Sequence, residues 1–182
     1  MTQVHYVFLA STGDLEKERN VIDAVCKELN LSLGRRFDRE LRTVRWEVDS
    51  VPDWGQEAQK IIEDQLFDGH SLNGAIFILW HRMGTPTSDA PSGWLSEFRK
   101  AVSKHKLDPT FRIMFFIKNE KVNPRKIDAA QLGDLNQFIS EFNGLYQSFE
   151  RQPEFRTKVT KALAKLMEGI EDQHQSNPDS FE

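Results

Sequence analysis

Cysteine is nearly missing from these 182 residues. Cys26 stands alone, so the chain can form no internal disulfide and no cysteine-based zinc site. Its position within an apolar stripe of helical spacing marks it as a small core residue. Long hydrophobic runs are missing too. The longest are strand length, well short of the roughly 20 apolar residues that a membrane-spanning helix needs. The opening Met-Thr-Gln-Val-His-Tyr has no basic stretch followed by an apolar one, so no signal peptide is readable and the expected compartment is the cytoplasm. Neither sign of charge dominates. Lys and Arg number 24 and Asp and Glu 28, giving a net charge of −4, which argues against nucleic-acid binding through a broad basic face.

Several chemical signatures are absent as well. There is no G-x-x-x-x-G-K-[ST] and no G-x-G-x-x-G, hence no P-loop or Rossmann phosphate cradle. No H-E-x-x-H occurs, and His5, His70, His81, His105 and His174 show no ligand spacing, so no metal site is expected. No G-x-S-x-G elbow follows a strand, which leaves nucleophilic serine catalysis without support.

What is present is an alternation of strand and helix patterns, the mark of an α/β sandwich with a mostly parallel sheet. Strands are expected at Val4–Ala10, Thr43–Val48, Ala75–Trp80, Phe111–Ile117 and Leu145–Phe149. Helices are expected at Leu15–Leu31, Gln56–Phe67, Trp94–His105 and Ile127–Phe142. A last helix from Pro153 carries Phe155, Val159, Leu163, Leu166, Met167 and Ile170 on one face. Arg35–Arg42 reads as a charged connector, and the arginines up to Arg45 as a solvated face. Residues 1–171 are expected to form one domain, and 172–182 a polar tail or the start of a linker.

The segment Gly74–Ala101 holds the strongest functional pattern. A buried strand ends at Trp80, a polar loop with Arg82, Gly84, Thr85 and Thr87 follows, and a helix opens with Trp94 and Glu97. Ligands of open α/β sheets bind outside the carboxyl ends of the strands, where this loop lies. Trp94 and Glu97 are three residues apart, which places a ring beside a carboxylate on one helix face, with Leu95 and Phe98 on another. Ser11, Thr12 and Asp14 occupy the turn after the first strand, where helix N–H groups favour an anion. Trp54, after Pro52, forms a further aromatic turn at a strand end. Each has a plain structural alternative: Glu97 as an acid stabilised by a helix dipole, Arg82 in a structural ion pair, and Ser11–Asp14 as a capping turn.

Three stretches resemble the TIR-like family of bacterial domains that occur at the N-termini of STAND-type NTPases and in antiviral defence proteins. They are Val7-Phe-Leu-Ala-Ser-Thr-Gly-Asp-Leu-Glu-Lys-Glu-Arg19, Ile78-Leu-Trp-His-Arg-Met-Gly-Thr-Pro-Thr87 and Ser92-Gly-Trp-Leu-Ser-Glu-Phe98. The resemblance implies a flavodoxin-like, TIR-like three-layer sandwich with a five-stranded sheet. It also implies cleavage of the nicotinamide–ribose bond of NAD by Glu97, with NAD as substrate and no other cofactor. Trp94 would match the family's tryptophan before the glutamate. The family pattern is W-x-x-x-E, whereas Trp94 and Glu97 are one residue closer, still on one helix face. Ser11, Thr12 and Arg82 would hold the phosphates, and Trp54, Trp80 or Trp94 would stack on a ring. Partners implied are NAD or a related nucleotide, and either self-association or a larger multidomain protein, with no nucleic acid and no membrane.

Two alternatives stay open. A nucleoside or nucleotide N-glycosidase, or a deoxyribosyltransferase-like enzyme, must protonate a neutral base and so needs a second acid, for which Asp14, Glu47 and Asp49 are candidates. A non-catalytic module that self-associates or senses a nucleotide would not need Glu97 at all.

Overall fold

This computed structural model describes residues 2–45, 72–86, 90 and 92–169. Within them the chain runs β1 (Gln3–Ser11), α1 (Glu16–Leu29), α2 (Arg35–Phe37), β2 (Arg39–Val44), β3 (Leu72–Leu79), α3 (Gly93–Leu107), β4 (Arg112–Lys118), α4 (Ala129–Glu141), β5 (Gln147–Phe149) and α5 (Gln152–Gly169). The five strands form one sheet in the order β2-β1-β3-β4-β5, with every neighbouring pair parallel. This is the flavodoxin-like order, whose direction of winding reverses between β1 and β3. The expected helix Gln56–Phe67 and the residues Trp46, Glu47, Asp49, Trp54 and Thr87 lie outside the described residues.

Helices cover both faces, so the central strands are apolar on both sides rather than alternating. Ala75, Ile76, Phe77, Ile78 and Leu79 in β3 are all 0 % exposed. Val7 and Leu9 of β1 pack with α1 and α5, while Phe8 and Ala10 pack with α3 and α4. The α3/α4 face is built on rings. Trp94 stacks on Phe98 with centroids 5.3 Å apart and meets Phe77 edge-on at 5.4 Å, and Phe138 closes against both. Such pairs add about 0.5–1.5 kcal/mol each beyond area burial.

The second strand departs from the expected Thr43–Val48. It begins at Arg39, inside what reads as a charged connector. The α1 helix continues through a π-helical turn at Asn30–Gly34 and one turn of α2, then stops where Asp38 takes a left-handed φ of 53°. Asn30 then fixes the strand from the side: its amide donates to Leu41 O at 2.9 Å and accepts from Leu41 N at 2.7 Å. A side chain at Gly34 would sit 2.6 Å from Arg39 O, so this approach needs glycine. The arginines here are not all a solvated face. Arg39 is buried and donates to Met167 O near the end of α5 at 3.1 Å, satisfying a carbonyl that the helix leaves free.

Cys26 is buried in α1, as expected. Burial, with a smaller contribution from the Asp23 charge, pushes its thiol up to about 12. The native protein should therefore resist iodoacetamide at pH 8 and react fully once unfolded. Rapid native alkylation would show that the site opens locally. Among the described residues, no helix is long and apolar enough to cross a membrane.

Candidate functional site

The reversal between β1 and β3 leaves a crevice at their carboxyl ends, with α1 leaving toward one face of the sheet and α3 packed on the other. On the β1 side, Ser11 Oγ and Thr12 O both accept from one Arg19 amino group, at 2.9 and 3.0 Å. That fork pins the turn to the second turn of α1. Asp14, in the short 3-10 turn Gly13–Leu15, reaches across to the β3 loop. Its Oδ1 accepts from Arg82 Nε and a terminal nitrogen at 3.2 and 3.1 Å, and His81 Nε2 lies 3.1 Å from Oδ2 at ion-pair distance. Gly84 adopts a φ of 101° and donates its N–H to Gln131 Oε1 at 3.2 Å. A side chain there would meet Thr12 Cγ2 at 3.5 Å, so the two loops lie side by side. Thr85 O accepts from Gly93 N at 3.2 Å, and buried Ser92 caps α3 by accepting from Leu95 N at 3.1 Å.

Burial alone would raise the Asp14 pKa. The Thr12 hydroxyl and the Arg82 guanidinium outweigh it and hold the carboxyl below its usual value, although the Thr12 hydroxyl falls short of an aligned hydrogen bond. A depressed folded-state pKa means that the ionised form supports the fold. That support is present above the unfolded-state value near 4 and is lost as pH falls through the folded-state value. Asp14→Asn should therefore cost about 1.5–3 kcal/mol at pH 7. The gap to wild type should narrow as pH drops below about 4. Urea unfolding of both proteins at pH 7 and pH 3 checks this, and an unchanged gap would assign the loss to shape rather than charge.

The structure thus brings together Ser11, Thr12, Asp14, Arg82 and Gly84, with Thr85 tying their loop to α3. Trp80 stands apart from them on the α1 side. Its indole N–H donates to Glu120 O at 2.8 Å, and the Lys118 ammonium sits 4.2 Å above its ring. Trp94 is a correction. It is 5 % exposed, lies in the ring cluster beneath the sheet, and shares its helix face with Phe98 rather than with an open crevice. Position i+4 on a helix stacks over i, and the apolar neighbours there recruit the indole into the core. It offers no free ring for stacking, and its Nε1–H is buried without an acceptor. Glu97 is 5 % exposed in the second turn of α3, a buried carboxylate on the helix that follows the central strand.

Sequence reasoning missed three participants. His81 was weighed only for metal spacing, yet it lies between Trp80 and Arg82 at a strand end, and its Nδ1 is buried with no partner. Arg19 falls within the Val7–Arg19 stretch without having been given a role. Lys118 ends an otherwise apolar strand, a charge where burial is expected. It is 8 % exposed and lies 3.0 Å from Glu18 and 2.7 Å from Glu120. Burial disfavours its ammonium, but the two carboxylates outweigh that and hold its pKa above the usual lysine value.

No protein-family model matches the chain, and no curated protein does. Two solved structures are similar in outline. One is a short-chain flavodoxin associated with a PDU bacterial microcompartment, 13 % identical, covering 95 % of this chain and 99 % of that one at a TM-score of 0.39. The other is a flavodoxin, WrbA-like protein from Agrobacterium tumefaciens, 12 % identical, covering 96 % and 100 % at a TM-score of 0.35. At such values they add nothing about the site, and the strand order itself defines the fold.

Proposed function

We propose that this chain is an NAD-cleaving domain of the TIR-like class, hydrolysing the nicotinamide–ribose bond in bacterial signalling or antiphage defence and working as an assembly or within a larger multidomain protein. The observation that supports this reading is the buried carboxylate of Glu97 on the helix after β3, at a switch point whose other wall carries Ser11, Thr12 and Arg82. Nicotinamide is cationic while bound to ribose. When the C1′–N bond breaks, its electron pair stays on the ring nitrogen and the base leaves neutral, so no general acid is needed. One carboxylate then suffices to stabilise the oxocarbenium-like centre or to attack it before water completes hydrolysis. Arg82, held by Asp14, and the turn at Ser11 supply positive groups for the diphosphate.

A second reading, nucleoside or nucleotide N-glycosidase activity, is favoured by His81. Its imidazole, set against Asp14 with Nδ1 unpartnered, supplies the proton that a neutral purine needs to leave. Incubation with NAD and separately with purine nucleosides, following free nicotinamide or free base by chromatography, separates the two. Base release from nucleosides that His81→Asn removes would favour the second reading. Nicotinamide release that persists in Glu97→Gln would sink the assignment of Glu97.

A further inference from the structure

A cavity of about 590 Å³ opens over the carboxyl ends of β4 and β5, between α1 and the start of α5. It is a separate place from the Glu97 helix, because α1 and α5 pack on the sheet face opposite α3. Glu18 and Lys118 line it, and both are buried, at 1 % and 8 % exposed. Lys118 divides its ammonium between Glu18 and Glu120 and rests on the Trp80 ring. Neither oxygen of Glu18 receives an aligned hydrogen bond, although the ammonium lies within ion-pair distance. A buried carboxylate short of donors is costly, and the natural remedy is a ligand that brings hydroxyl groups.

The rest of the lining limits what else that ligand carries. Lys17 and Arg151 line the same cavity, are exposed, and have no ion pair of their own among the described residues. Arg151 immediately precedes α5, an 18-residue helix whose positive end adds to the same field. These cations oppose an amine ligand. A bare anion would leave Glu18 unsatisfied. Among the described residues, no three His, Cys, Asp or Glu are grouped to hold a metal ion.

We propose that this cavity binds a ribose-bearing phosphate, with the vicinal hydroxyls donating to Glu18 and the phosphate lying between Lys17 and Arg151. The site does not depend on NAD cleavage, and its test uses ligands that cannot be cleaved at a nicotinamide bond. Binding of ribose 5-phosphate, 2-deoxyribose 5-phosphate and inorganic phosphate is measured by calorimetry. Trp80 fluorescence reports the location, because Lys118 joins that ring to the cavity. Wild type should prefer ribose 5-phosphate over the deoxy sugar by at least about tenfold. Glu18→Gln should erase that preference while keeping phosphate-dependent binding. Arg151→Glu, an exposed change that spares the fold, should weaken all three ligands at least tenfold. Equal affinity for the two sugars in wild type, a preference that survives in Glu18→Gln, binding indifferent to Arg151→Glu, or no saturable binding to millimolar ligand would each overturn the proposal. Loss of nicotinamide release in Glu97→Gln with sugar binding intact would leave it standing.

Discussion

Glu97→Gln should lower release of nicotinamide from NAD by roughly 10²–10⁴-fold while leaving the unfolding temperature within a few degrees of wild type. The substitution keeps side-chain volume and hydrogen-bonding atoms and removes only the negative charge. A group that stabilises a developing oxocarbenium ion acts through that charge, and does so strongly where water is excluded, as it is around a side chain only 5 % exposed. A residue that merely caps or pairs with a neighbour would shift stability and leave turnover nearly intact. The informative measurement is therefore kcat and melting temperature on the same preparation. A loss of kcat with KM little changed points to a contact made in the transition state. A fall in melting temperature with kcat retained would return Glu97 to a structural role.

Trp94→Ala should destabilise the protein by about 3–5 kcal/mol, lowering the melting temperature by about 10 °C. The indole touches Phe77, Phe98, Phe115 and Phe138, so truncation leaves a void walled by rings that cannot all collapse into it. Trp94→Phe should cost about 1.5 kcal/mol or less. It keeps a ring against Phe98 and also removes a buried N–H that has no acceptor, which offsets part of the lost area. The phenylalanine variant should retain any NAD cleavage that the wild type shows. Loss of cleavage at full stability would instead mean that Trp94 reads the substrate.

Strand and helix periodicity carried most of the architecture. A run such as Ala75–Leu79 reads as a central parallel strand because it has no polar side to show, and all five residues are buried. The elements β1, β4, α3 and α5 fall within a few residues of their expected bounds. The second strand did not. Its start depends on a π-helical turn, a left-handed Asp38 and an Asn30 amide that docks on Leu41 across eleven positions, none of which leaves a periodic signal. The crevice was half legible. Ser11, Thr12, Asp14, Arg82 and Gly84 are polar or glycine residues just beyond apolar strands, where the winding rule puts ligands. Trp94 was misread because three-residue spacing shows which residues share a helix face but not which way the face points.

The sequence by itself determined the five strands, the helices between them and the loops that end up at one edge, because burial periodicity is a local property. Tertiary structure alone decided which charges meet. Asp14 and Arg82 are 68 positions apart and Glu18 and Lys118 are 100, and each pair forms only because parallel crossover connections return every strand's carboxyl end to the same side of the sheet. Contact across such distances follows from strand order and register, which no single segment encodes.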